Sequence, residues 1–206
     1  AATGLRVISI EYTLAPHSKW QDTTAQALAV FSALADEAYS PSHTVLGGDS
    51  AGGGLAAGSL LRMRDEGMEM PAALVLWSPW ADISETGDTY LTLRDAEVSF
   101  TYNNVLGPAA RVYADPDDHG HPYVSPVYGD FNEGFPPTLI QGGTREIFLS
   151  NFVRLYQALD QAGQNVKLDL YEGMPHVFMA QLPDTAEAKT ALAKTGDWVS
   201  EHLPDD

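Results

Sequence analysis

The chain has 206 residues, enough for one core and short for two, and its 44% apolar and 19% charged residues are those of a soluble globular domain. Eleven Lys plus Arg against 28 Asp plus Glu give a formal charge of −17, which repels phosphate backbones and argues against nucleic-acid binding. With no cysteine, disulfide and thiolate chemistry are excluded; with no run of about 18 apolar residues and no leader pattern, neither a membrane span nor a signal peptide is expected, and the cytoplasm is the expected location.

Short β-rich runs alternate with helical patterns, the sign of βα units on a mainly parallel sheet. Residues 5–12 read as a strand, and residues 23–39 as an amphipathic helix through Ala27, Leu28, Phe31, Leu34 and Ala35. Residues 43–47 read as a strand feeding a helix over 50–67, with Gly67 as its stop signal. Residues 72–77 are a continuous apolar run of the kind buried on both faces, ended by Pro79. The pattern loosens over 82–135, which resembles an insertion over the C-terminal edge of the sheet. Strands follow at 138–141 and 166–171, with a helix over 148–162 between them and a last helix over about 185–202.

Between the strand at 43–47 and the helix behind it stand Gly48, Asp49, Ser50, Ala51, Gly52 and Gly53, a G-x-S-x-G elbow that presents Ser50 on a strand-to-helix turn. A Cβ at Gly48 or Gly52 is expected to crowd the helix against the strand. The bland alternative is a glycine-rich βα turn. A serine hydroxyl needs an imidazole to take its proton and a carboxylate to orient that imidazole. On this type of turn the chain order is serine, acid, histidine. His176 fits, following the final strand after Glu172, Gly173, Met174 and Pro175; the alternative is an exposed loop histidine. Glu146 is the first carboxylate after strand 138–141; its alternatives are a solvated loop residue or a partner of Arg145. Asp49 reads as structural. His17 and His43 precede the serine, and His202 lies at the chain end. His119 and His121 sit in an acidic loop without a rigid element to fix a metal, so they are expected to be solvated.

Four stretches in one order carry a family likeness. They are Glu11-Tyr12-Thr13-Leu14-Ala15-Pro16; the elbow; Ser78-Pro79-Trp80-Ala81-Asp82; and the acid and histidine loops, running from Pro136-Pro137-Thr138-Leu139-Ile140 to Glu146 and then Pro175-His176-Val177-Phe178. In these the chain resembles the hormone-sensitive-lipase group of α/β-hydrolase esterases. The resemblance implies an α/β-hydrolase fold, a mainly parallel sheet flanked by helices, as a single domain over 1–206 with a cap-like insertion around 82–135. It implies Ser50 as nucleophile, His176 as general base and acid, Glu146 as orienting carboxylate and the backbone N–H of Ala51 in the oxyanion hole. Thr13 stands where the group has arginine, and Glu146 where aspartate is commoner. The group's His-Gly-Gly-Gly loop has no counterpart here, so the chain is expected to be the C-terminal portion of such an esterase, without its N-terminal strands and N-terminal cap. A vacant sheet position is then expected between strands 5–12 and 43–47.

The implied function is a serine carboxylesterase that hydrolyses small to medium acyl esters through an acyl-enzyme on Ser50, with no metal or organic cofactor needed. A non-catalytic small-molecule receptor on the same fold is one alternative, although such receptors typically lose the histidine. An inactive fragment that needs a complementing N-terminal segment is another. A serine peptidase is disfavoured because no gating domain is present. Two partners besides the ester are open: the complementing segment, and a second copy paired through the edge of strand 166–171. Trp80, Tyr90, Phe100, Tyr102 and Tyr113 could line an acyl pocket, with core positions the favoured reading for each.

Overall fold

The computed structural model describes residues 3–37 and 39–204. In chain order its main elements are α1 (Trp20–Asp36), β1 (Val45–Asp49), α2 (Ser50–Asp65), β2 (Ala73–Trp77), α3 (Thr89–Thr92), α4 (Gly107–Tyr113), β3 (Thr138–Gly143), α5 (Leu149–Gln161), β4 (Val166–Tyr171), α6 (Phe178–Gln181) and α7 (Ala186–His202). The four strands form one sheet in the order β1-β2-β3-β4, and every neighbouring pair is parallel. Parallel neighbours require a crossover. Helices α2 and α5 supply two of them, and the long stretch 78–137 supplies the third.

Side chains alternate across each strand, so the two faces of the sheet have separate cores. Leu74, Leu76 and Ile140 pack with Phe31 of α1, Leu60 and Leu61 of α2, and Phe152 and Leu155 of α5. Ala73, Val75 and Leu139 face the opposite way, onto Trp198 and Val199 of α7. The sheet is thus covered by helices on both faces, which explains why β2 reads as an unbroken apolar run. Local signals set the helix ends. The Thr185 hydroxyl accepts from the Ala188 N–H at 3.2 Å and caps α7. Gly67, at φ +71°, turns the chain away after α2.

The strand expected over residues 5–12 does not form. That stretch has no regular secondary structure and no strand partner among the described residues, with Val7 85% exposed and Leu5 and Ile8 each 45% exposed. A β-rich sequence becomes a strand only when a neighbour accepts its backbone groups, and among the described residues none lies alongside it. For the same reason β1 is an edge strand, its outer side unpaired among the described residues; the vacant position expected between two strands has only one of the two beside it. Two boundaries also shift. β1 starts at Val45 because Pro41–His43 form a 3₁₀ turn, and α1 starts at Trp20, whose ring is buried. Among the described residues no helix is long and apolar enough to cross a membrane.

The strand registers bring one end of the sheet level. Asp49 lies opposite Trp77, Trp77 opposite Gln141, and Gln141 opposite Asp169. Ser50, Ser78, Glu146 and His176 all follow those C-terminal strand ends, the side on which open α/β sheets bind ligands.

Candidate active site

Ser50 is the first residue of α2 and sits at φ +52°, a left-handed conformation that costs a non-glycine residue about 1–3 kcal/mol. The turn that holds it is closed from two sides. A Cβ at Gly48 would run into the Gly52 carbonyl, and one at Gly53 would lie 2.9 Å from the Pro79 Cβ. Gly52 departs from the expectation, because nothing lies within 4 Å of a Cβ built there. The segment after β2 closes the other side, and its Trp80 N–H donates to the Ser50 carbonyl at 2.8 Å. The N–H of Ala51 belongs to the first turn of α2, where backbone donors have no acceptor within the helix.

Glu146 and His176 meet across two loops laced together by backbone. Thr144 N–H donates to the Tyr171 carbonyl at 3.0 Å and Arg145 N–H to the Met174 carbonyl at 3.2 Å. Gly173 N–H donates to the Thr144 hydroxyl at 2.8 Å. The Glu146 carboxylate is fully buried, so each oxygen needs donors. Oε1 accepts from the Gly143 N–H at 2.6 Å and from the Ser78 hydroxyl at 2.8 Å. Oε2 lies 2.7 Å from His176 Nδ1. A carboxylate only accepts, so in that bond Nδ1 donates, and the tautomer that does so leaves Nε2 as the acceptor. His176 is buried, and its imidazole stands edge-to-face against Phe100 and Phe148, at centroid distances of 4.9 and 5.3 Å. Among the described residues no hydrogen bond joins Ser50 Oγ to His176 Nε2; such bonds are often long until substrate closes the site.

A family model described as the alpha/beta hydrolase fold matches residues 1–180. The solved structure of an esterase from the bacterial hormone-sensitive lipase family superposes with a TM-score of 0.92 at 34% identity, over 98% of this chain and 68% of that one. The chain belongs to this family of α/β hydrolases. An acetyl-hydrolase from Streptomyces hygroscopicus is 34% identical over 195 residues, 95% of this chain and 64% of its own length. An esterase from Acinetobacter venetianus is 30% identical over 198 residues, 96% of this chain and 65% of its own length. The chain therefore spans about two thirds of the length of these relatives.

Other residues of this α/β hydrolase fall away from the site or join it unexpectedly. Asp49 is exposed and faces Tyr12, whose hydroxyl is pushed up first by burial and then by the Asp49 charge. His17 and His43 are exposed, and the His202 ring packs tilted against Trp198 with centroids 4.2 Å apart. His121 is not the solvated loop residue expected: its ring packs 4.5 Å from Trp20 and 4.8 Å from Tyr123, and its Nδ1 accepts from the Tyr123 N–H at 3.2 Å. Among the described residues His119 Nε2 is buried and has no hydrogen-bond partner. The acidic loop folds back because Trp20 donates to Asp118 at 2.9 Å. Among the described residues no group of three or more His, Asp or Glu could hold a metal ion. Of the five aromatics, Trp80 and Tyr90 are core, Tyr102 and Tyr113 pack partly buried against it, and Phe100 alone touches the imidazole. Sequence reasoning missed Phe148 and the Ser78 hydroxyl, although both lie in stretches it singled out.

Proposed function

We propose that the protein is a serine carboxylesterase acting on small to medium acyl esters. Ser50 Oγ attacks the ester carbonyl while His176 Nε2 takes its proton. The Ala51 N–H donates to the oxyanion as the tetrahedral species forms. Collapse expels the alcohol, which leaves with the proton from His176, and the acyl group stays on Ser50. Water activated by the same nitrogen then releases the acid. Glu146 keeps the imidazole in the tautomer whose Nε2 can accept, and stabilises the imidazolium in between. Residues 82–135 act as the cap, which the contact of Phe100 with the imidazole supports.

One observation carries this reading: a buried imidazole–carboxylate pair at 2.7 Å on the sheet edge where a strained serine opens a helix. A non-catalytic receptor has no use for such a pair. The acyl size is supported by the relative named an acetyl-hydrolase. The test is a comparison of p-nitrophenyl acetate with the matching anilide, using the protein and its Ser50→Ala and His176→Ala variants. Ester turnover lost in both variants supports the proposal; tight ester binding with no turnover would favour the receptor.

A further inference from the structure

Among the described residues three non-glycine residues have left-handed backbones: Ser50, Ser78 and Val177. The first presents the nucleophile; the other two are bonded to each other. Val177 N–H donates to Ser78 Oγ at 3.0 Å, and the Ser78 hydroxyl donates to Glu146 Oε1 at 2.8 Å. Chemistry fixes these directions, since an N–H only donates, a carboxylate only accepts and a hydroxyl has one proton to give.

We propose that Ser78 is a positioning residue whose hydroxyl locks the Glu146 carboxylate and the His176–Val177 backbone into one closed ring, so that the imidazole is held toward Ser50. The ring runs from Ser78 to Glu146, from Glu146 Oε2 to His176 Nδ1, and through the peptide bond to Val177 and back. Val177 is β-branched at φ +49°, and such a conformation persists only where its surroundings over-determine it. The ring supplies that restraint. Ser78 itself is fully buried and fixed to β3 by its own N–H, which donates to the Gln141 carbonyl at 2.7 Å. The two residues that follow it, Pro79 and Trp80, brace the elbow at Gly53 and at the Ser50 carbonyl. Ser78 is thus the node at which the support of the nucleophile meets the support of the acid–base pair. Removing its hydroxyl leaves Oε1 with the Gly143 N–H alone and strands the buried Val177 N–H.

The inference rests on the proposed roles of Ser50, Glu146 and His176, and its test separates the two. The rate at which a fluorophosphonate modifies Ser50 is measured by mass spectrometry for the protein and for Ser78→Ala, Ser78→Gly and His176→Ala. The downfield Nδ1–H proton resonance of His176 is recorded alongside. Both Ser78 variants are expected to react on the order of 10- to 100-fold more slowly, the loss typical of a misplaced catalytic group, and to lose or broaden that resonance. Glycine relieves the left-handed backbone, so Ser78→Gly is expected to melt at or above Ser78→Ala while reacting as slowly. A rate that follows melting temperature, or an unchanged resonance in Ser78→Gly, overturns the positioning role. If Ser50 fails to react in the unsubstituted protein, or reacts equally in His176→Ala, the esterase reading fails; the resonance comparison still decides the role of Ser78.

Discussion

Glu146 and His176 form an ion-pair geometry of 2.7 Å in which the carboxylate is 0% and the imidazole side chain 5% exposed. Water cannot substitute for either partner there, so the pair has no local replacement. For Glu146→Gln the expected loss in ester turnover is about 10³- to 10⁴-fold, because the amide can favour the tautomer that blocks Nε2. Glu146→Asp draws the carboxylate back by one methylene and is expected to lose about 10- to 100-fold. Steady-state kinetics on folded protein checks both; equal activity of Glu146→Gln and the unsubstituted protein would contradict the role.

The elbow glycines separate by what a methyl group would meet. Gly48→Ala is expected to destabilise the fold by about 1–3 kcal/mol, since the added carbon runs into the Gly52 carbonyl. Gly52→Ala, with open space around it inside α2, is expected to be neutral or to stabilise by up to about 1 kcal/mol. Urea unfolding of the two variants gives the comparison.

Asp82 is fully buried and accepts from Arg154 at 2.6 Å, from Tyr128 at 3.0 Å and from the Ser84 N–H at 2.9 Å. This joins the segment after β2 to α5. For Arg154→Met the expected cost is about 3 kcal/mol, because the charge left on Asp82 loses its only nearby cation in this network. Chemical denaturation at neutral pH measures it.

Asp169 has its pKa held below the usual aspartate value. Burial alone would raise it, but hydrogen bonds from Lys194 and Gln141 outweigh burial. A carboxyl depressed in the folded state stabilises the fold above its unfolded value, about 3.9, and that contribution is lost as pH falls through the folded value. Lys194→Met is therefore expected to be less stable than the unsubstituted protein near pH 7, with the gap closing below about pH 4. Unfolding curves across that range decide it; a gap of constant size would contradict the linkage.

Elements whose signals are local could be read from the sequence. β4 is an alternation bounded by turn residues, α7 follows a threonine cap, and β2 is a run buried on both faces. Ser50, Glu146 and His176 stand out as candidates in the sequence because chain order and strand ends constrain where such residues can stand, and the structure brings Glu146 and His176 together. What escaped is non-local. The residues at 5–12 have strand-like composition, but pairing depends on a neighbour that no local pattern reports. The Ser78 hydroxyl reaches partners 68 and 99 residues away, and Gly53 is required because Pro79 arrives from another strand. The packing of His121 on Trp20 likewise joins segments about a hundred residues apart.

The most direct measurement is intact-mass and peptide analysis of the protein after brief reaction with a p-nitrophenyl ester and an acid quench. A single acyl adduct on Ser50, absent from Ser50→Ala and from His176→Ala, is the expected result. Acylation at another residue, or an adduct on Ser50 that forms equally fast without His176, would contradict the proposed mechanism.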